Sequence, residues 1–293
     1  MNAGTSPQHL RAHVYRLAEE IGERNVRHPK ALHAAESYIR QVWKNQGFEV
    51  VDQRYTVRGV DCANLEVTRW GTEHPDEIIL LGAHYDSVTG SPGANDNGSG
   101  VASLLELSRL FSEDTPARTI RFVAFVNEEP PFFFIGKQGS RLYAQAARKR
   151  GDDVRLMISL ETMGYYRNEP GSQHYPPLFR YFYPKQGNFI ALVSNFRSRH
   201  VMHRLAKAFR SCSDFPLEHL ATSSLIPGVG WSDHFNFWRQ GYRALMVTDT
   251  AFYRYPFYHR AEDTAEKNDY DKLARVTDSL HQAILLLAAQ GLS

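Results

Sequence analysis

The sequence contains little cysteine, no long apolar run and almost no net charge. Its two cysteines, Cys62 and Cys212, are too few for a disulfide framework, and we interpret both as free thiols in a reducing compartment. No stretch reaches the roughly 18 apolar residues that a membrane span needs, and charged side chains interrupt the N-terminal segment. A net charge of +2 gives no field that would attract nucleic acid or an acidic membrane. These absences favour a cytoplasmic protein that acts on small molecules or peptides, without nucleic-acid or membrane partners.

The apolar residues are numerous and regularly spaced, and they make up 42% of the 293 residues. Helical spacing before Gly47 predicts two amphipathic helices at the start of the chain. Short apolar runs then alternate with helical segments, which is typical of strands buried on both faces. The runs cover residues 48–57, 65–70, 78–83, 120–126, 156–160, 189–193 and 244–247, and the helical segments cover residues 98–111, 140–149, 199–210, 232–240 and 270–289.

This alternation predicts an α/β fold, namely a three-layer α/β/α sandwich with a mostly parallel, mixed central sheet, in a single domain over residues 1–293. The first two strands are predicted to form a hairpin with Gly59 in the connection, which makes the sheet mixed. A loop rich in proline and tyrosine covers residues 167–188. A loop of this length either shapes a binding cleft or is a neutral insertion, and the sequence favours neither.

Histidine and acidic residues stand directly after several of the predicted strands. The carboxyl ends of strands form the ligand crevice of an open α/β sheet, so these residues are expected to converge. A glycine-rich turn and the loop after the last strand supply one more residue each. The six candidates are His84, Asp96, Glu128, Glu129, Glu161 and His259. Oxygen and imidazole donors without thiolate suit a hydrolytic zinc site. In the adjacent pair Glu128 and Glu129, one carboxylate can bind metal while the other takes a proton from water.

The same residues lie in an ordered series of motifs. The series covers residues 82–87 (GAHYDS), 92–100 (PGANDNGSG), 127–129 (NEE), 161–165 (ETMGY), 232–234 (SDH) and 258–264 (YHRAEDT). It resembles the zinc peptidase family that contains the bacterial leucyl aminopeptidases. Glutamate carboxypeptidase II and the glutaminyl cyclases are relatives within that resemblance.

The resemblance implies two zinc ions held by five side chains. Asp96 is then the bridging carboxylate, His84 and Glu161 complete one zinc site, and Glu129 and His259 complete the other. Glu161 stands where many relatives have aspartate, so one of the two zinc ions is expected to be weakly bound. Glu128 is implied as the general base that deprotonates the bridging water and passes the proton to the leaving amine.

Further roles follow from the same resemblance. Asp86 is expected to orient the imidazole of His84, and the peptide bond between Asp96 and Asn97 is expected to be cis. Tyr253 and Tyr255 are candidates for stabilising the oxyanion, and they are equally interpretable as packed loop aromatics. Asp233 is either a residue of the cleft or the N-cap of the helix that follows it.

Three functions are compatible with these residues. The first is a zinc aminopeptidase that removes N-terminal amino acids from small peptides with a free amino terminus. The second is a zinc acyltransferase similar to the glutaminyl cyclases, which the full second ligand set disfavours. The third is a non-catalytic interaction module, as among the transferrin receptor relatives, and a complete set of competent ligands disfavours it. The sequence does not indicate the preferred N-terminal residue or the oligomeric state.

Overall fold

The structure, a computed structural model, describes residues 4–177 and 179–291, apart from the side chains of residues 134 and 135. The two ends of the predicted domain, residues 1 and 293, lie outside this range. The α-helices are α1 Pro7–Tyr15, α2 Pro29–Asn45, α3 Gly100–Ser112, α4 Phe132–Ile135, α5 Gly139–Arg150, α6 Arg199–Cys212, α7 His234–Arg239 and α8 Tyr270–Gln290. The strands are β1 Val51–Val57, β2 Val60–Arg69, β3 His74–His84, β4 Arg118–Phe125, β5 Asp153–Glu161, β6 Ile190–Ser194, β7 Leu217–Ala221 and β8 Ala244–Thr248.

The eight strands form one mixed sheet in the order β1-β2-β4-β3-β5-β8-β6-β7. The four central strands β4, β3, β5 and β8 are parallel, whereas β2 and β6 run antiparallel to their neighbours in this central group. β1 and β2 form the predicted hairpin. Arg58 and Gly59 connect them with φ angles of 52° and 76°, which is the backbone of a tight two-residue turn.

Helices cover both faces of the sheet. One face packs against α1, α2, α3, α6 and α8, and the other packs against α5 and α7. α2 shows the sequence pattern behind this packing, because Leu32, Ala35, Ile39 and Trp43 recur at helical spacing and are fully buried. The helix ends just before Gly47, whose φ of 85° is a left-handed conformation that glycine tolerates. The three-layer α/β/α sandwich with a mixed central sheet is therefore confirmed.

The edge strand β7 was not predicted from the sequence. Its five residues, Leu217 to Ala221, include Glu218 and His219, and only Leu217 is buried. An edge strand with one buried position carries too few apolar residues to stand out from a loop.

Both cysteines are free thiols, as predicted, with Cys62 buried and Cys212 exposed. Within the described ranges, no helix combines the length and the apolar character that crossing a membrane requires.

Candidate metal centre

The carboxyl ends of β3 and β5 bring His84 and Glu161 together, because the two strands are parallel neighbours. His84 Nε2 lies 3.4 Å from Glu161 Oε2. The hydroxyl of Ser232 donates a hydrogen bond to the same Glu161 oxygen at 2.8 Å, which fixes the carboxylate. Both His84 and Glu161 are almost completely buried. Two potential ligands are thus held beside each other at the edge of the sheet.

Asp96 presents its two carboxylate oxygens to two different histidines. Its Oδ1 lies 3.4 Å from His84 Nε2, and its Oδ2 lies 3.1 Å from His259 Nε2. The peptide bond between Asp96 and Asn97 is cis. A carboxylate with one oxygen on each side is the arrangement that a bridge between two cations requires.

Glu129 completes the side of Asp96 that faces His259. Its Oε2 lies 3.3 Å from His259 Nε2. His84, Asp96 and Glu129 can offer one ligand atom each, and these atoms lie within 4.8 Å of one another. The other four predicted metal ligands therefore converge on Asp96, although the five residues come from five separate segments of the chain.

Asp86 ties the ends of β3 and β4 to each other. Its carboxylate accepts hydrogen bonds from the backbone N–H groups of Glu128 and Glu129, at 3.1 and 3.2 Å. His84 Nδ1 lies 3.2 Å from the backbone oxygen of Asp86 and 3.6 Å from its Oδ1. The imidazole therefore contacts Asp86 through its backbone oxygen, while the carboxylate predicted to orient the imidazole positions the acidic pair, which the sequence did not indicate.

Glu128 lies beside the predicted metal ligands. Its Oε2 is 4.0 Å from His84 Nε2, and the side-chain amide of Gln138 donates to its backbone oxygen at 3.3 Å. Burial raises the pKa of Glu128 well above the usual value of a glutamate, with His84 opposing the shift. A carboxylate in such a position is suited to accept a proton.

Asp263 holds the loop that carries Asp96. Its carboxylate accepts hydrogen bonds from the backbone N–H groups of Asn95 and Asp96, at 2.8 and 3.1 Å. Tyr255 donates its hydroxyl to Asp263 Oδ1 at 2.7 Å and is only 2% exposed. Tyr255 thus contacts the support of the loop and does not line the cavity described below. This position differs from the oxyanion contact predicted for it, because its hydroxyl is already committed to a buried carboxylate.

Asp233 is completely buried, and neither of its oxygens has a hydrogen-bond partner among the described residues. Burial raises its pKa to about 7. Its backbone precedes α7, but its side chain forms no cap hydrogen bond with that helix. The capping alternative is therefore not observed. The neighbouring His234 points elsewhere, since its Nε2 lies 2.8 Å from the backbone oxygen of Val229.

The charges of this cluster fit a bound cation. Glu129 Oε1 is buried and has no hydrogen-bond partner within the described part of the chain. Burial, followed by the charge of Asp96, raises the pKa of Glu129 to about 7. Burial lowers the pKa of His259, but its contacts with Asp96 and Glu129 outweigh burial and raise the pKa to about 11. Buried carboxylates and imidazoles at such short distances are stabilised by a shared divalent cation, and this oxygen and nitrogen donor set suits zinc.

A sequence model of peptidase family M28 matches residues 64–284, which include the sheet edge and all five predicted ligands. The chain belongs to this family. The peptidase is metal-dependent, and its M28 relatives include probable zinc metalloproteases of fungi such as Pyrenophora teres.

This M28 chain has bacterial and fungal relatives. The YfbL protein of Escherichia coli, itself uncharacterised, is 37% identical over 284 residues, which cover 94% of this chain and 86% of that protein. A probable aminopeptidase of Saccharomyces cerevisiae is 26% identical over 233 residues, or 75% of this chain. The matched region spans about half of the yeast protein, namely 55%.

Solved structures with the same fold carry out more than one reaction. BSAP, a zinc aminopeptidase from Bacillus subtilis, aligns with a TM-score of 0.75 at 16% identity, over 97% of this chain and 95% of that one. A glutaminyl cyclase from Fimbriiglobus ruber aligns with a TM-score of 0.74 at 18% identity, over 98% and 97% of the two chains. The fold of this M28 peptidase therefore does not decide between hydrolysis and cyclisation.

A large apolar cavity opens beside the cluster. Glu161 and Tyr258 form part of its lining. The loop over residues 167–188 contributes further lining residues, so the cleft-shaping interpretation of this loop is the one that the structure supports. Tyr253 also lines the cavity, with its hydroxyl 3.2 Å from the backbone oxygen of Pro227.

Several residues of the site were missed by the sequence analysis. Ser232, Asp263, Gln138 and Tyr258 all contact or face the ligand cluster, although Ser232, Tyr258 and Asp263 lie inside the motifs. The signal was present only as polar residues next to helix starts and in loops, where capping is the commoner role.

Proposed function

We propose that this M28 peptidase is a zinc aminopeptidase that removes the N-terminal residue from peptides with a free amino terminus. The observation that carries the proposal is the two-sided arrangement of Asp96. One oxygen faces His84 and the other faces His259, so the side chains offer a ligand set on each side. A site that needs a single zinc ion has no use for the second set.

The residues of the cluster have different roles in the proposed reaction. His84 and Glu161 would hold one zinc ion and Glu129 and His259 would hold the other, with Asp96 offering one oxygen to each. Zinc in this position would lower the pKa of a water molecule and polarise the scissile carbonyl. Glu128 accepts the proton of the attacking water and returns it to the departing amine, so no covalent intermediate with the protein forms.

Tyr258 is the phenol best suited to stabilise the oxyanion. It lines the cavity and stacks on His259 with ring centroids 3.9 Å apart. Burial raises the pKa of its hydroxyl well above the usual value, so the group remains a hydrogen-bond donor at neutral pH. Of the two phenols predicted from the sequence, Tyr253 remains a candidate because it lines the cavity, whereas the hydroxyl of Tyr255 is bonded to Asp263.

The contact between Ser232 and Glu161 predicts an effect on zinc affinity. The Ser232→Ala variant loses the hydrogen bond that fixes Glu161, and partners of this kind typically change metal affinity by about 10–100-fold. We expect one zinc ion to dissociate about 10–100-fold more readily while the other stays bound. Isothermal titration of the metal-free protein with zinc measures this change. An exposed serine of α2, Ser37, provides the control variant Ser37→Ala, and equal affinities in all three proteins would contradict the assignment.

The proposed reaction is tested with short peptides that carry a free or an acetylated amino terminus. Zinc-loaded protein should release the N-terminal residue from free peptides only, because the site must hold the free α-amine next to the bond that is cleaved. A peptide with N-terminal glutamine distinguishes the cyclase alternative by mass spectrometry. Loss of ammonia without loss of the residue would replace the aminopeptidase proposal by a glutaminyl cyclase.

A further inference from the structure

A row of four residues crosses the sheet from the metal centre to its edge. Glu161 on β5 pairs with Thr248 on β8, which pairs with Ala191 on β6, which in turn pairs with Glu218 on β7. All four residues line the cavity. Neighbouring strands lie about 4.8 Å apart, so the Cα atoms of Glu161 and Glu218 are about 14 Å apart. The cavity therefore connects a proposed zinc ligand with a second carboxylate.

The middle of this cavity is apolar. Ala191 and Glu218 alternate along β6 and β7 with Ile190 and Leu217, which belong to the apolar core. On the cavity side, the small residue Ala191 leaves room above the sheet. An unbranched apolar side chain fits this surface of the sheet, because no charged residue that the structure describes lies along the surface before Glu218.

The far end of the cavity combines aromatic rings with a carboxylate. The ring of Tyr183 contacts two other rings. Its centroid lies 5.8 Å from that of Tyr175 and 6.4 Å from that of Phe179. Burial, followed by the charge of Glu218, raises the pKa of the Tyr183 hydroxyl. Aromatic faces attract cations, and a neighbouring carboxylate adds a direct charge interaction.

Glu218 has no ion pair within 4 Å and no side-chain hydrogen bond among the residues described by the structure. Arg210 is the cation whose charge acts on it, but the Arg210 guanidinium donates to the backbone oxygen of Leu217 at 2.7 Å. Arg254, whose charge acts on Tyr175, donates to Gln173 and to the backbone oxygen of Phe189, at 2.8 Å each. The carboxylate of Glu218 is therefore available to a ligand in the cavity.

We propose, on the basis of the proposed aminopeptidase function, that Glu218 and the rings of Tyr175, Phe179 and Tyr183 select peptides with N-terminal lysine or arginine. The amino terminus lies at the metal centre, the methylene stem lies over Thr248 and Ala191, and the cationic tip meets Glu218. Lysine and arginine both combine an apolar stem with a charged head, which matches an apolar cavity with one carboxylate at its end.

The test compares aminoacyl nitroanilides of lysine, arginine, leucine and norleucine, because norleucine shares the unbranched stem of lysine without its charge. The wild-type protein should hydrolyse the lysine substrate with a kcat/KM about tenfold or more above that of norleucine. In Glu218→Gln, the kcat/KM of the lysine substrate should no longer exceed that of norleucine, mainly because KM rises for the lysine and arginine substrates. Glu73→Gln removes an exposed carboxylate before β3 and should leave the ratio unchanged.

Phe179→Leu provides a second variant, since it keeps an apolar side chain and removes one aromatic face. It should lower kcat/KM for lysine by a few-fold relative to norleucine. Equal or better hydrolysis of norleucine and leucine, unaffected by Glu218→Gln, would overturn the proposed selectivity and leave the aminopeptidase function intact. Failure to hydrolyse any of the four substrates would overturn the proposed function and this inference with it.

Discussion

Replacement of Glu128 by glutamine is expected to lower kcat for a cleaved peptide by about 10²–10⁴-fold while the zinc content stays unchanged. Glu128 Oε2 lies 4.0 Å from His84 Nε2, within reach of the ligand cluster. Glutamine keeps the shape of the side chain but cannot accept and return a proton. KM should change little, because the substitution affects the transition state more than the bound peptide.

The neighbouring carboxylates supply the controls for this substitution. Glu129→Gln should reduce both activity and zinc content, because Glu129 lies 3.3 Å from His259 as a proposed ligand. Glu262→Gln changes an exposed residue three positions after His259 and should reduce neither. Full activity in Glu128→Gln, or a loss of zinc equal to that of Glu129→Gln, would remove Glu128 from the role of general base.

The pH profile of the same proteins gives a second measurement. A general base acts only when it is ionised, so kcat/KM of the wild-type protein should fall as the pH is lowered. Burial raises the pKa of Glu128, which shifts this fall towards neutral pH compared with an ordinary glutamate. The residual activity of Glu128→Gln should lose this acid limb, whereas an unchanged limb would assign it to another group.

The architecture was predictable because the buried strands are continuous apolar runs. β3, β4 and β5 are almost wholly buried towards their carboxyl ends, where β3 ends in His84, β5 ends in Glu161 and Glu128 lies three residues after β4. Apolar periodicity and strand-end chemistry therefore indicated both the sandwich and the edge where His84 and Glu161 meet. β7 escaped prediction because its strand is short and half-buried and contains Glu218 and His219, so that it resembles a loop in sequence.

The proposed ligand set was accessible from sequence, whereas its supports were not. Asp96 and His259 lie in motifs, but the pairing of Asp263 with the backbone of Asn95 and Asp96 joins segments separated by 167 residues or more. No local pattern encodes such a contact. The same limit applies to Tyr255, whose hydroxyl could be assigned to a substrate or to a buried carboxylate until its partner was located.

Glu218 illustrates a third case, in which the relevant pattern is the register between strands. Its relation to Glu161 depends on the pairing of β5, β8, β6 and β7, and two of these strands run opposite to the other two. Register is set by tertiary packing and is not visible in one strand alone. Sequence motifs therefore could not indicate the specificity that we propose for the cavity.

The second large effect is expected from Asp96→Asn, which should remove most of the bound zinc and lower kcat/KM by at least about 10³-fold. Asp96 is the side chain that faces both histidines, with Oδ1 3.4 Å from His84 and Oδ2 3.1 Å from His259. Asparagine has one oxygen and one NH₂ group, and the NH₂ group cannot bind a cation. The substitution therefore removes the bridge while the volume of the side chain is preserved.

Zinc content and thermal unfolding measure this loss without reference to activity. A cation that binds the folded state raises its stability by mass action, so zinc should raise the Tm of the wild-type protein. Asp96→Asn should show little or no increase, whereas Asp76→Asn, on an exposed carboxylate near the start of β3, should behave like the wild type. A full zinc-dependent increase in Asp96→Asn with undiminished zinc content would contradict the bridging role. Retention of one zinc ion with half of the increase would instead show that His84 with Glu161, or His259 with Glu129, binds a cation without Asp96.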